Sequence, residues 1–120
     1  MVMGIYRIYV AACNIDYIVV EGEKMIVYIS GSVTNTNDYK QRFETAKIMI
    51  EQTTHDIPIC PITLCNYIPE GSEWIVYMKA CIKALCDCDK IYMLKGWENS
   101  RGARVEHDMA KLLGLIVEYE

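Results

Sequence analysis

The sequence predicts an α/β fold in which a parallel sheet of four to five strands carries helices on both faces. Short apolar runs of strand type at 25–30, 57–60, 91–94 and 115–117 alternate with longer segments in which apolar residues recur at helical spacing. Each connection between these runs is long enough to hold a helix, and helical crossovers join parallel strands. Ligands of such sheets bind beyond the carboxyl ends of the strands.

The N-terminal part of the chain does not follow this alternation. Residues 5–10 and 15–20 are β-branched and aromatic runs separated by Ala-Ala-Cys-Asn, which predicts a β-hairpin. We expect 1–24 to be a hairpin extension and 25–120 to be one domain. A chain of 120 residues buries about two-thirds of its unfolded surface without disulfides or metal.

The first strand of the predicted domain, 25–30, leads into a run of small and hydroxyl residues at 30–37. A loop of this kind before a helix N-terminus favours anions, because free N–H groups and the helix dipole both attract them. The run lacks the dinucleotide and Walker patterns, so a plain turn is an equal interpretation. A helix with core-facing apolar positions is predicted over 38–53.

The middle of the chain continues the alternation. A strand at 57–60 ends at Pro61, and 62–71 is predicted to be a loop. Ser72 is the predicted N-cap of the next helix. The buried stripe of that helix is predicted to consist of Trp74, Met78, Cys81 and Leu85.

A strand–loop–helix unit follows at 91–113. The strand 91–94 leads into a turn with Gly96, and Ser100 is predicted to cap a helix that stops at Gly114. The polar arc of this helix is predicted to hold Arg104, His107, Asp108 and Lys111. The apolar arc is predicted to hold Val105, Met109, Ala110, Leu112 and Leu113.

Glu106 falls inside the apolar arc and should point at the sheet. An unpaired carboxylate costs several kcal/mol to bury, so the position needs a partner or a role. A functional carboxylate is one interpretation. The other is a structural Glu that bonds a backbone N–H or Arg101. A slight error in the predicted helix would also place Glu106 on the wrong face. His107 is predicted to be solvated, and His55 to sit at a helix end that favours its charge.

Composition excludes several classes of function. The net charge is −4 and Lys and Arg are scattered, so we expect no nucleic-acid polymer as partner. We predict no membrane span and no secretion signal, and hence a cytoplasmic protein. The six cysteines should be reduced, and their spacing lacks a C-x-x-C pair, so we expect no metal and no cofactor.

Three separated segments resemble a known family. They are 26–33, 87–94 and 96–107, and the run Gly-Trp-Glu-Asn-Ser-Arg-Gly-Ala in the third is the most specific. Together they look like a bacterial and phage family of unassigned activity within the nucleoside 2-deoxyribosyltransferase-like superfamily. The resemblance covers 25–115. It implies a flavodoxin-like, Rossmann-like three-layer sandwich and, by analogy, a homodimer.

The superfamily includes transferases that exchange bases on deoxyribose and hydrolases that cleave deoxynucleotides. The resemblance implies that Glu106 is the catalytic glutamate and that Tyr28 orients it. It also implies that a loop cradles sugar or 5′-phosphate, and that loop consists of Ser30, Gly31, Ser32 and Val33.

The same resemblance assigns further binding residues around the start of the last helix. Asn99 and Ser100 would hold sugar hydroxyls or phosphate, and Gly102 would leave room for the ligand. Trp97 would stack on a base, with loop packing as an equal alternative.

Two positions depart from the superfamily pattern. Cys81 replaces an aspartate that binds sugar and base in the transferases, and Ser100 replaces a second acidic residue. A thiol cannot accept hydrogen bonds as a carboxylate does, which bears on proton delivery to the departing base.

The sequence therefore predicts N-glycosidic bond cleavage on a nucleoside or 5′-nucleotide through Glu106. Hydrolysis is favoured over base exchange, because a chain that ends at Glu120 should close the site less well against water. The alternatives are a non-catalytic nucleotide-binding module and an interaction protein in which Glu106 is a satisfied core group.

Overall fold

A computed structural model describes residues 7–10, 15–19, 24–33 and 37–120, with side chains described from residue 24 onward. The strands are β1 (Arg7–Val10), β2 (Ile15–Val19), β3 (Ile26–Ser30), β4 (Ile57–Ile59), β5 (Lys90–Met93) and β6 (Ile116–Tyr119). The helices are α1 (Tyr39–Met49), α2 (Pro61–Leu64), α3 (Trp74–Cys86) and α4 (Arg101–Leu112). Across this part of the chain, no helix is long and apolar enough to cross a membrane.

Four of these strands form one parallel sheet in the order β4-β3-β5-β6. The connection through α1 leads from β3 to β4, and the connection through α4 leads from β5 to β6 in the opposite direction. The chain therefore changes direction between β3 and β5, where open α/β sheets place their ligands. The predicted Rossmann-like α/β fold is confirmed, with four strands in its sheet.

The two remaining described strands pair with each other. β1 and β2 are antiparallel, with Arg7 opposite Val19 and Ile8 opposite Ile18. The predicted hairpin turn at 11–14 lies outside the described residues. The division of the chain into an extension and a domain stays a prediction.

Side-chain alternation along the sheet divides the core into two layers. On the α3 and α4 side, Tyr28, Ile91 and Met93 pack with residues of both helices. On the opposite side, Val27 and Ile29 pack against Phe43 of α1. Because Tyr28 and Ser30 are two residues apart on β3, both face the α3 and α4 layer.

The predicted helix at 38–53 is present with a distorted end. It continues from α1 into a π-helical turn over Ile50–Thr54, where the Thr54 hydroxyl donates to the Ile50 carbonyl at 2.7 Å. His55 follows in the left-handed region with φ of 61°. This residue therefore ends the helix, as its position beside Asp56 predicts.

Two predictions about the middle of the chain are wrong. The segment predicted as a loop at 62–71 begins with helical structure, because Pro61 occupies the first position of α2 and a 3-10 turn follows over Cys65–Tyr67. Ser72 does not cap α3, since its hydroxyl donates to the Pro69 carbonyl at 2.6 Å and Glu73 occupies the cap position.

Three of the four residues predicted to form the buried stripe of α3 are buried. Met78, Cys81 and Leu85 are buried, whereas Trp74 is 37% exposed. The Arg101 guanidinium lies 3.8 Å from the centre of the Trp74 ring, so the indole forms a cation–π contact at the surface.

Helix α4 begins as predicted but presents a different face to the core. The Ser100 hydroxyl accepts a hydrogen bond from the Ala103 N–H at 3.2 Å, and Gly114 follows the helix with φ of 77°. The buried residues are Ala103, Glu106, His107 and Ala110. The predicted apolar arc is wrong at three positions that are exposed, namely Val105, Leu112 and Leu113. Small residues let α4 approach the sheet closely on the Ala103 and Ala110 side.

We expect Leu85→Ala to destabilise the domain by about 2–5 kcal/mol, because Leu85 is fully buried between α3 and the sheet. Urea unfolding monitored by circular dichroism measures the change. Leu112→Ala is the matched control, since Leu112 is 82% exposed and its truncation should change stability by less than about 0.5 kcal/mol. Equal losses in the two variants would contradict the described packing.

Candidate active site

Glu106 lies inside the protein, on the face of α4 that packs against the sheet. Its exposure is 5%. Ala103 and Ala110 occupy positions one turn before and after it on the same face, and both are buried. Their small side chains leave the carboxylate facing the sheet, which confirms the prediction that Glu106 points inward.

Two hydroxyl groups of β3 hold this carboxylate. The Tyr28 hydroxyl donates to Oε2 at 2.6 Å, and the Ser30 hydroxyl donates to Oε1 at 2.6 Å. Both donors are fully buried. Alternation along the strand explains the arrangement, because residues two apart point to the same face. One hydroxyl binds each oxygen, so the carboxylate is held in a defined orientation.

The electrostatics of the site follow from burial. Burial raises the pKa of Glu106, and hydrogen bonds from Ser30, Tyr28 and Cys81 oppose that rise. Burial and the neighbouring Glu106 carboxylate also raise the pKa of Tyr28 well above its usual value. Tyr28 therefore remains a protonated donor. Each carboxylate oxygen has two lone pairs and accepts one hydroxyl, which leaves acceptor capacity for another ligand.

Cys81 of α3 completes the immediate surroundings of Glu106. Burial raises the pKa of this thiol to about 12, so it stays protonated at neutral pH. Its sulfur lies 3.6 Å from the sulfur of Cys65 in the 3-10 turn that follows α2. A neutral thiol thus lies beside the carboxylate.

The prediction that His107 is solvated is wrong. Its exposure is 8%, and its ring stacks on Trp97 with 4.2 Å between ring centres. One ring nitrogen, Nε2, lies 2.8 Å from the Tyr119 hydroxyl, and Nδ1 lies 3.2 Å from a carboxylate oxygen of Asp108. Strand β6 and the turn before α4 cover the side of the helix that the sequence pattern assigned to solvent.

The ring of Trp97, the predicted base-stacking residue, packs against other aromatic side chains of the protein. His107 stacks on its ring, and Tyr119 lies 6.1 Å from it, centre to centre. The alternative of packing within the protein therefore describes the contacts of Trp97. A base would have to use the part of the indole that His107 leaves open.

The loop predicted to cradle sugar or phosphate begins at the carboxyl end of β3. Gly31 lies so close to Leu94 that an added Cβ would be 2.9 Å from Leu94 Cδ1, so a side chain is excluded there. Ser32 is buried and Val33 is 47% exposed. Ser30 is the member of this loop that contacts Glu106. The rest of the loop, 34–36, lies outside the described residues.

The other predicted binding residues lie at the start of α4. Asn99 is exposed in a 3-10 turn, and the Ser100 side chain serves as the helix cap. An added Cβ at Gly102 would be 3.1 Å from Met78 Sδ. The missing side chain at Gly102 therefore allows α3 and α4 to pack closely, and room for a ligand beside it stays a prediction.

Sequence reasoning missed two contacts of the site. The sequence could have indicated the hydrogen bond from Ser30 to Glu106, because Ser30 lies two residues after Tyr28 and faces the same side of the strand. The approach of Cys65 to Cys81 had no sequence signal, because it depends on the helical turns that replace the predicted loop. In the part of the chain described here, no three His, Cys, Asp or Glu side chains group as a metal site.

We expect Glu106→Gln to stabilise the protein near neutral pH by about 1 kcal/mol. Because burial raises the pKa of Glu106, the folded state binds its proton more tightly than the unfolded chain does. The free energy of unfolding therefore falls as pH rises from 4.5 through the folded-state pKa. The stabilisation by Glu106→Gln should be smaller at pH values below this range.

Urea unfolding at about pH 7 and about pH 4 measures this difference. Glu44→Gln, on the exposed face of α1, should show no such dependence. A Glu106→Gln protein that is less stable than wild type at neutral pH would contradict the assigned pKa direction.

The structure is similar to that of a 2-desoxiribosyltransferase from Leishmania mexicana, with a TM-score of 0.60 and 17% sequence identity. The match covers 79% of this chain and 63% of that chain, so this chain spans less than two-thirds of the length of its relative. The likeness shows a shared fold. No curated protein matches the sequence.

A family model matches nearly all of the α/β domain. It is described as a domain of unknown function, DUF4406, and the match extends over residues 25–119. It includes β3 with Tyr28 and Ser30 as well as α4 with Glu106. The chain therefore belongs to the DUF4406 family.

Proposed function

We propose that the protein cleaves the N-glycosidic bond of a nucleoside or 5′-nucleotide, with Glu106 as the nucleophile. The observation that carries this proposal is the buried carboxylate whose two oxygens accept hydrogen bonds from Tyr28 and Ser30. It lies beside β3 and β5, where the chain changes direction in the sheet. The fold shared with a 2-desoxiribosyltransferase supports the choice of substrate class.

The reaction forms one bond to the sugar as another breaks. An oxygen of Glu106 attacks C1′ while the C1′–N bond breaks and its electron pair leaves with the base. While one bond breaks and the other forms, the sugar carries oxocarbenium-like positive charge. The Glu106 carboxylate stabilises that charge. Water then attacks C1′ of the glycosyl ester and releases Glu106. A second base in place of water would give base exchange.

Tyr28 and Ser30 act on this reaction as positioning residues. They fix the carboxylate with one hydroxyl on each oxygen, and their hydrogen bonds favour its ionised form. The ionised form is the nucleophile. The hydroxyls thus offset part of the effect of burial, which raises the pKa of the carboxyl.

One observation favours a second candidate function. The departing base needs a proton, and Cys81, whose thiol pKa is about 12, is a very weak acid at neutral pH. His107 is occupied by Trp97, Tyr119 and Asp108. A non-catalytic module that binds a nucleotide, with Glu106 bonding a sugar hydroxyl, is therefore the alternative.

The proposal keeps the predicted partners. A small nucleoside or nucleotide is the ligand, and no nucleic-acid polymer or membrane takes part. Assembly as a homodimer and a cytoplasmic location stay predictions from the sequence.

We expect wild-type protein to release free base from at least one member of a panel of nucleosides, deoxynucleosides and their 5′-monophosphates. Glu106→Gln should lower the rate on the order of a thousandfold, as loss of a nucleophile does, whereas Glu44→Gln should keep it. Chromatography of the released base measures both. Equal rates in wild type and Glu106→Gln would overturn the proposal. Calorimetric binding without release would select the nucleotide-binding module.

We expect the rate of base release to rise with pH through the pKa of Glu106, which lies above 4.5, and then to level off. The nucleophile must be ionised, while Tyr28 and Cys81 keep their protons because both of their pKa values are raised. A pH–rate profile of kcat tests this. A rate that falls over the same interval would indicate a protonated Glu106 acting as an acid.

Tyr28→Phe should lower the plateau of that profile by about ten- to a hundredfold, because a hydrogen bond to a charged group contributes about 1.5–3 kcal/mol. The rising part should move to higher pH, because the hydrogen bond from Tyr28 lowers the pKa of Glu106 and its removal raises that pKa. Tyr92→Phe is the matched control, a buried tyrosine packed in the opposite layer. An unmoved profile in Tyr28→Phe would show that Tyr28 does not position the nucleophile.

A further inference from the structure

Cys65 and Cys81 form a pair of thiols beside the Glu106 carboxylate. Their sulfur atoms are 3.6 Å apart. Both are reduced, and both pack in the layer that contains Tyr28. The Cys81 thiol is also one of the groups that lower the pKa of Glu106. A chemical change at this pair would therefore reach the candidate site directly.

The other described cysteines have different surroundings. Cys60 packs on the opposite face of the sheet, Cys86 is exposed, and the Cys88 thiol lies 3.2 Å from the Ala84 carbonyl oxygen, which accepts its hydrogen bond. Their positions give no reason for a bond to Cys81.

We propose that Cys65 and Cys81 are a reversible oxidation site, which small-molecule disulfides convert to a disulfide that changes the surroundings of Glu106. A disulfide requires the two sulfur atoms to approach to about 2.05 Å. Cys81 is held in the middle of the 13-residue helix α3, whereas Cys65 begins a three-residue 3-10 turn. The movement is therefore assigned to the turn.

Exposure decides the order of the two steps. Cys65 is half-buried and Cys81 is 7% exposed, so an incoming disulfide meets Cys65 first. The sulfur of Cys65 attacks a glutathione disulfide, which gives a mixed disulfide and one glutathione thiol. This intermediate places an electrophilic sulfur next to Cys81.

The second step closes the protein disulfide. The sulfur of Cys81 attacks the sulfur of Cys65, and the second glutathione leaves with the electron pair of the broken bond and takes the proton of Cys81. Two cysteine thiols are oxidised, and one glutathione disulfide is reduced to two thiols. Because Cys81 is 7% exposed, glutathione disulfide does not reach it directly, so the mixed disulfide at Cys65 forms first.

The consequence for Glu106 follows from the lost proton. The Cys81 thiol lowers the pKa of Glu106, and a disulfide sulfur has no hydrogen to offer, so oxidation raises that pKa further. The ionised fraction of Glu106 then falls at a given pH. The effect on base release rests on the proposed function, whereas formation of the disulfide does not.

The test uses the reduced full chain incubated with glutathione disulfide, alkylated and cleaved by trypsin. Cleavage after Lys47, Lys79 and Lys83 places Cys65 in peptide 48–79 and Cys81 in peptide 80–83. Mass spectrometry without reduction should find these peptides linked, and dithiothreitol should separate them. Because Cys60 lies in the same peptide as Cys65, Cys60→Ser is the matched control and should keep the link.

The link between the two peptides should be absent in Cys65→Ser and in Cys81→Ser. A link that persists in Cys65→Ser, or a mixed disulfide at Cys65 that never closes, would overturn the site. NMR titration of the Glu106 carboxyl carbon in oxidised and reduced wild type measures the coupling without any substrate. An unchanged pKa would overturn the coupling. Where base release is established, oxidation should slow it about tenfold, reversibly.

Discussion

The structure depends on one buried carboxylate and the strand that holds it. Placing a charged Glu106 under α4 costs several kcal/mol unless donors compensate. Two hydroxyls of β3 supply those donors. Each hydrogen bond to a charged group contributes about 1.5–3 kcal/mol. The carboxylate therefore links α4 to the sheet at the place where parallel sheets bind ligands.

Much of this arrangement follows from sequence periodicity. Helical spacing on α4 predicted that Glu106 faces the sheet, and strand alternation explains why Tyr28 and Ser30 both meet it. The errors have a common physical cause. A helical wheel places His107 beside solvent because it ignores Tyr119 and Trp97, which cover that side. Tertiary neighbours likewise decide the exposure of the apolar residues on α4 and the helical turns that replace a predicted loop.

Cys81 connects the two proposals made for this site. As a neutral thiol it lowers the pKa of Glu106, which favours the ionised carboxylate, but it is a poor source of a proton for a departing base. The same sulfur lies in contact with Cys65. A thiol at this position therefore suits the proposed disulfide better than it suits proton transfer in the proposed reaction.

The most direct test of the central claim is to trap the covalent intermediate on Glu106. A deoxynucleoside substrate carrying fluorine next to C1′ slows breakdown of the glycosyl ester, because fluorine destabilises the oxocarbenium-like transition state. Acid quench, proteolysis and mass spectrometry then locate the sugar. We expect one sugar on Glu106 and none in Glu106→Gln. Base release from a protein whose Glu106 carries no sugar would contradict it.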